Sequence, residues 1–256
     1  MSMPARTVKS ATRVLQVLEY FAQVRAPMPL KRISEALGYP QSSTTVLLKN
    51  LVVLGYLRYD RAERLYFPTP RVASLGDWIS QALFGQGRVL ELMHELHDAT
   101  GETVSIAMLN DIYVQYIRVI QSRHAIRFPT DEGSLRPLTR SAVGWLLLTD
   151  RTDAEVEKLV RRANIAVPGG EERVPLETIA AELHDARLRG TLYLENLPLP
   201  GGATIGVVLP WRVQGQLVVL GMGGTIERMR PHRARHTALM RRLAAQLAPQ
   251  HGGSTA

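Results

Sequence analysis

Residues 30–54, LKRISEALGYPQSSTTVLLKNLVVL, constrain the fold more than any other stretch of the chain. Leu30, Ile33, Ala36 and Leu37 recur at helical spacing, and Gly38 ends that short helix. Tyr39-Pro40 makes a rigid turn, because a residue before proline is steered away from helical angles. Gln41-Ser42-Ser43-Thr44 then opens a second helix, to which Val46, Leu47, Leu48, Leu51 and Leu54 give an apolar side. Two short helices about a Gly/Pro turn read as a helix-turn-helix, although an ordinary helical hairpin would share these features.

The flanks favour the first reading. Residues 7–24 place Ala11, Val14, Leu15, Leu18, Phe21 and Ala22 on one face of an amphipathic helix, closed by the Pro27/Pro29 stretch. After Gly55, two short runs rich in β-formers bracket residues 60–63, a hairpin with Arg58, Arg61 and Arg64 beside its tip. Three helices and a basic hairpin make a winged helix-turn-helix over residues 1–69. Charge follows the same division: residues 1–70 hold ten Lys/Arg against four Asp/Glu, and residues 71–224 hold fifteen against eighteen. A basic head on a slightly acidic body is the distribution expected when one domain meets phosphate and another does not.

The run from SATRVLQVLEYFA to LYFPTPRVASLG resembles the DNA-binding half of IclR-type transcriptional regulators. It shares a serine-threonine pair opening the recognition helix and a Gly-Tyr leading into the wing. One departure is plain: an arginine common in the middle of the family's recognition helix is Val46 here. The resemblance implies a linker helix over residues 70–86, with Val72, Leu75, Ile79 and Leu83 as a dimer seam. It also implies a GAF-like effector-binding domain over 87–250, matched more loosely by GETVSIAMLNDIYVQYIRVI, RPLTRSAVGWLLL and LRGTLYLENLPLPGGATIGVVLP.

The residue pattern of the body agrees with an α+β domain built on an antiparallel sheet. Strand-like runs at 102–109 and 112–120 flank an Asn110-Asp111 turn, and Ile126-Arg-Phe128 reads as a further strand. Ser141 to Thr149 reads as a buried helix, 153–163 and 175–189 as amphipathic helices. Residues 202–210 and 216–221 read as strands joined near Gln214-Gly215, and a last helix is expected from Pro231. Residues 251–256 read as a disordered tail.

For the head, Gln41, Ser42, Ser43, Thr44 and Thr45 are the expected base readers, since the N-terminal residues of a recognition helix approach the base edges. Ser42 or Ser43 reads equally as a plain N-cap. Lys31, Arg32 and Lys49 suit phosphate contacts, and Arg58, Arg61 and Arg64 suit phosphates or the minor groove. For the body, the family's ligand positions fall near Ala142, Val143, Thr204, Gly221 and Gly223, with its acidic position at Leu194 or Glu195. Both serines that donate to small carboxylates in the family are glycine here. That loss of donors and gain of space points to a bulkier, weakly charged effector, with Met108, Trp145 and Met222 as apolar walls.

Other chemistry finds little support. The chain of 256 residues has no cysteine, so disulfides and thiolate metal sites are excluded. His94 and His97 lie at i, i+3 rather than the i, i+4 of a helical zinc motif, and His232 and His236 sit among arginines. Gly221-Met-Gly-Gly224 lacks the lysine of a phosphate loop, and no serine sits in a nucleophile-elbow setting. No metal, cofactor or catalytic residue is therefore assigned, and the chain is not expected to be an enzyme. With no run of ~20 apolar residues and no signal-like start, a soluble cytoplasmic protein is expected. The expected partners are an operator duplex, a small-molecule effector and further copies of the chain, as a homodimer or tetramer. The competing reading keeps the DNA-binding head but makes the body a protein-interaction domain without a small-molecule effector.

Overall fold

The computed structural model describes residues 8–77, 87–167 and 173–247. The chain divides into two compact units, Met1–Ala82 and Leu83–Ala256.

In the first unit, α1 (Lys9–Val24), α2 (Leu30–Leu37) and α3 (Gln41–Val53) pack with a small sheet. The sheet has β1 (Met28–Pro29), β2 (Leu57–Asp60) and β3 (Leu65–Pro68) in the order β1-β3-β2. Val17, Phe21, Ile33, Leu48, Leu51, Leu57 and Tyr66 form its core. Gly38, at φ +66°, closes α2 in the left-handed region that glycine enters without a Cβ penalty. The Met28–Pro29 segment, expected only to end a helix, also pairs with β3 as a third strand. The apolar side of α3 is narrower than expected. Leu48 and Leu51 are buried, whereas Val46 and Leu54 are 60% and 55% exposed.

Beyond β3, α4 (Arg71–Ser74) is a single turn. Val72 is half-buried and Leu75 exposed; Ile79 and Leu83 of the expected seam lie outside the described residues, as does the 251–256 tail.

The second unit is a six-stranded antiparallel sheet. Its strands are β4 (Thr103–Asn110), β5 (Tyr113–Ile120), β6 (Leu135–Pro137), β7 (Thr191–Glu195), β8 (Gly202–Val213) and β9 (Gln216–Thr225), in the order β6-β5-β4-β9-β8-β7. One face carries α5 (Arg88–Thr100) and α9 (Ile226–Ala245), packed on Val104, Ile106, Ile205, Val218, Leu220 and Met222. The other carries α6 (Ala142–Leu146), α7 (Asp153–Ile165) and α8 (Leu176–Arg189), packed on Ala107, Val114, Tyr116 and Val219. Strand alternation sends successive side chains to opposite layers, so β4, β5, β7, β8 and β9 each serve two cores. Gln214 and Gly215, both at positive φ, form the tight β8–β9 turn.

Two expectations are corrected. Residues 126–128 are not a strand; the sheet's edge is β6 instead, whose Leu135–Pro137 pairs with β5. The last helix begins at Ile226, not Pro231, which sits inside its second turn.

Candidate functional site

Two surfaces carry the chemistry, one in each unit. In the head, the N-terminal half of α3 is the first. Pro40 occupies the N-cap position, so neither serine caps the helix through its side chain. The hydroxyls turn inward onto the helix's own backbone instead. Ser43 Oγ donates to the Pro40 carbonyl at 2.9 Å, Thr44 Oγ1 to the same oxygen at 3.0 Å, and Thr45 Oγ1 to the Gln41 carbonyl at 2.7 Å. Thr44 is only 1% exposed. It is a core residue of the helix start and is corrected out of the set of base readers. Gln41 and Ser42 are exposed, Ser43 and Thr45 half-exposed.

Sequence reasoning missed three residues of this face. Val46, Asn50 and Val53 all point outward, Val53 being 84% exposed. Val46 was placed on the apolar side of the helix, because an apolar residue on an amphipathic helix is assigned to the core by default, and Val53 was not singled out.

Lys49, Lys31 and Arg32 are exposed, Lys31 within 3.9 Å of Glu35 in a solvated i, i+4 pair of small energetic weight. On the wing, Asp60 Oδ1 accepts the backbone N–H groups of Ala62 and Glu63, at 2.9 and 3.1 Å, and so orders the tip. Arg58, Arg61 and Arg64 surround it, all exposed, with the Arg58 guanidinium 5.7 Å from the centre of the Phe67 ring.

The second surface is a pocket of about 50 Å³ on the α6 side of the sheet, room for a few waters. Thr103 and Ser105 of β4, Thr204 of β8 and Gly223 of β9 floor it, and Val143 of α6 walls it. Phe128, Leu197 and Pro198 lie over it from loops, and Tyr116 and Arg136 line it as well. Arg140 Nη2 ties the 197–199 loop down by donating to the Pro198 carbonyl at 2.8 Å. The guanidinium of Arg136 lies 5.9 Å from the Tyr116 ring centre. Its Nε is buried and has no hydrogen-bond partner among the described residues.

Of the expected effector residues, Val143, Thr204, Met222 and Gly223 border this pocket. The Met222 side chain, however, packs in the α5/α9 core. Gly221 adjoins the pocket, but its space is already filled: a Cβ there would lie 2.8 Å from Ser105 Oγ and 2.9 Å from Val143 Cγ2. The expected gain of space is corrected accordingly. Only Gly223 is open, its nearest neighbours being the Ala203 carbonyl and Thr204 Oγ1 at 3.8 Å.

Ala142, Trp145, Met108 and Glu195 are corrected out of the pocket. Ala142 is fully buried in the α6 core, and Trp145, 1% exposed, donates its indole N–H to the Thr139 carbonyl at 3.0 Å. Met108 points to the α5/α9 layer. Glu195 faces α9, where Tyr193 Oη donates to it at 2.6 Å and Arg230 Nη2 pairs with it at 2.6 Å. The Arg230 and Tyr193 hydrogen bonds hold its carboxyl down at about 2, while burial and the carboxylate push the Tyr193 phenol up to about 12.

Thr103, Ser105, Tyr116 and Arg136 were missed. The alternation of Thr103 and Ser105 with Val104 and Ile106 was the available signal, since it gives β4 a polar face opposite its apolar one. Among the described residues no group of three or more His, Cys, Asp or Glu is placed to hold a metal ion. His97 is a buried structural residue whose Nδ1 meets the Glu102 carbonyl at 2.9 Å. No helix among the described residues is long and apolar enough to cross a membrane.

Comparison with known proteins places both units. Residues 10–61 match the IclR helix-turn-helix domain, and residues 87–248 match the bacterial transcriptional regulator IclR C-terminal domain. The chain is 26% identical over 190 residues to the "Probable transcriptional regulator SauR" of Cupriavidus necator, covering 73% of this chain and 75% of that one. It is also 26% identical over 172 residues to the transcriptional repressor IclR of Escherichia coli K12, covering 62% of this chain and 58% of the repressor. Among solved structures, the effector domain of an IclR transcriptional regulator from Acinetobacter sp. ADP1 is 40% identical at a TM-score of 0.62, covering 66% of this chain and 98% of that one. An IclR homologue from Microbacterium hydrocarbonoxydans, solved with 4-hydroxybenzoate, shares the fold at 20% identity and a TM-score of 0.66, over 92% of this chain and 96% of that one.

Proposed function

The chain belongs to the IclR family of transcriptional regulators, DNA-binding proteins rather than enzymes, and from that premise we propose that its head reads an operator while its body answers to a small organic acid. The observation that carries the effector class is Arg136. A guanidinium beside an aromatic ring, with one buried N–H unpaired, is half of a charge-assisted hydrogen bond, and a carboxylate is its natural complement. Tyr116 and Phe128 offer flat apolar surface next to it, and Thr103, Ser105 and Thr204 offer hydroxyls. An aromatic or otherwise bulky carboxylic acid uses all three. This keeps the bulk expected from the sequence and replaces weak charge by a single negative one. The complex of the Microbacterium relative with 4-hydroxybenzoate supports the same class.

A cavity of about 50 Å³ does not admit such an acid as it stands, so binding displaces the loop that carries Leu197 and Pro198. An effector changes operator affinity only to the extent that it favours one arrangement of the molecule over another. The heads act in pairs, in a homodimer or a dimer of dimers, because a single recognition helix covers too short a site for useful specificity. Such a regulator suits control of a catabolic operon whose substrate or product is the acid.

Thermal unfolding of the full chain tests the effector reading. Benzoate, 4-hydroxybenzoate and aliphatic carboxylates should be compared with the corresponding amides. A rise in Tm with an acid, absent with its amide and lost in Arg136→Leu, is the expected result. Equal shifts for acid and amide, or no shift with any acid, would reject it in favour of a body without such an effector.

A further inference from the structure

We propose that Val46 reads the 5-methyl group of a thymine in each half-site, an inference that rests on the DNA-binding role of the head. The exposed face of α3 is polar at Gln41, Ser42, Lys49 and Asn50, yet Val46 sits among them 60% exposed. Ser42, Val46, Lys49 and Val53 fall at i, i+4, i+7 and i+11, one continuous stripe of the helix. Val46 lies only about 7–8 Å along the helix axis from Gln41, whereas Val53 lies about 18 Å along it, near the end that leaves the groove. Val46 therefore reaches base edges and Val53 does not.

The hydroxyls beside this stripe add little hydrogen-bond reading. Ser43, Thr44 and Thr45 spend their hydroxyl protons on carbonyls of their own helix start. The surface that enters the groove thus presents a branched apolar side chain between a free-standing hydroxyl and a lysine. In the major groove the one apolar group an unmodified duplex offers is the thymine methyl. Water leaves both methyl surfaces on contact, and no donor or acceptor is stranded. A guanine or adenine edge at the same place would have its acceptors or donors covered by Val46 and left unpaired, so the contact also selects against purines.

The test begins with the full chain selecting its site from a randomised, unmethylated duplex library. Each thymine of the selected site is then replaced singly by deoxyuridine, which keeps every hydrogen-bonding group and deletes only the methyl. One position per half-site should lose about fourfold in affinity for the parent protein, the scale of one buried methyl-sized group. Val46→Ala should bind the thymine duplex correspondingly less well and show no response to uridine at that position. Val46→Thr, which keeps a methyl and the same shape, should retain the response. A selected site in which no thymine-to-uridine change separates the parent from Val46→Ala overturns the inference while leaving DNA reading by α3 intact. Failure to select any sequence overturns both.

Discussion

Val143 Cγ2 stands 2.9 Å from where a side chain at Gly221 would begin, and the α6 helix can approach the sheet there only because residue 221 has none. Gly223, two residues on and on the same face, has nothing nearer than 3.8 Å. Serine at the two positions should therefore behave oppositely. Gly221→Ser has to push Val143 or Ser105 aside in a packed layer, and about 1–3 kcal/mol of stability should be lost in a denaturant titration. Gly223→Ser should unfold like the parent and show its effect in the effector titration, where its hydroxyl enters the pocket. Equal stability losses in the two variants would contradict this assignment of the glycines.

The glycines also show how far the sequence could be read. Helix and strand order, the antiparallel sheet and the winged head were legible, because apolar periodicity and turn residues are local signals. What a glycine makes room for is not local. Gly224, in a run that reads as a poor phosphate loop, has the Glu102 carboxylate where a side chain would lie. Gly144 packs directly on the Leu138 backbone. The pocket was partly legible for the same reason: Val143, Thr204 and Gly223 followed from resemblance, but Arg136 comes from an edge strand that pattern alone put elsewhere. Glu195 was misplaced by one step of strand alternation, which exchanges one face of the sheet for the other.

Glu102 and Arg228 form a largely buried ion pair of the body. The carboxylate is 2% exposed and accepts from Nε at 2.6 Å and Nη2 at 3.0 Å. Its hydrogen bonds to Arg228 push the guanidinium's pKa up. Removing one partner leaves the other without its counter-charge, a change that typically costs roughly 3–5 kcal/mol. Arg228 is 28% exposed, so water makes good part of the loss and Glu102→Gln should fall at or below the low end of that range. Glu102→Gln/Arg228→Met should recover part of it. A double variant less stable than the single one would mean the pair is not what the site depends on.

His236 should make the body sensitive to mild acid. Burial pushes its pKa below the ordinary 6.5, helped by repulsion from His232 and Arg235 and opposed by Glu102. The unfolded chain then takes up the proton first as pH falls. Stability is full above pH 6.5, declines from there, and stops declining once the folded protein also protonates. Denaturant midpoints at pH 7.5 and 5.5 should differ more for the parent than for His236→Gln, and matching differences would assign the acid sensitivity to other groups.

Leu75 exposes 57% of its surface just beyond α4, and Val72 is half-covered beside it. Both gain by burial against a second copy, at about 25 cal/mol per Å² of apolar area removed from water. Sedimentation of the full chain at micromolar concentration should give a dimer or a multiple of one. Leu75→Glu should shift that distribution toward monomer, and a parent that sediments as monomer would refute the pairing.

Helix α3 separates affinity, specificity and stability among different residues. Lys49 is a solvated cation, so Lys49→Ala should weaken binding to operator and random duplex alike and lower the slope of log affinity against log salt by about one. Gln41 and Ser42 are exposed at the helix end that approaches the bases, and Gln41 can pair bidentately with an adenine. The Gln41→Ala/Ser42→Ala variant should hold non-specific affinity while its preference for operator falls by an amount equivalent to about 1–3 kcal/mol. Thr44 is buried, and its hydroxyl is committed to the Pro40 carbonyl at 3.0 Å. Thr44→Val leaves that carbonyl with the backbone N–H of residue 44, at 3.1 Å, so no buried acceptor is orphaned. Its effect should appear in the unfolding midpoint, at about 1 kcal/mol, and not in the operator preference. If Thr44→Val instead relaxed specificity as strongly as the Gln41/Ser42 variant, the inward orientation of residue 44 would be wrong, and with it the register of the face that α3 turns to DNA.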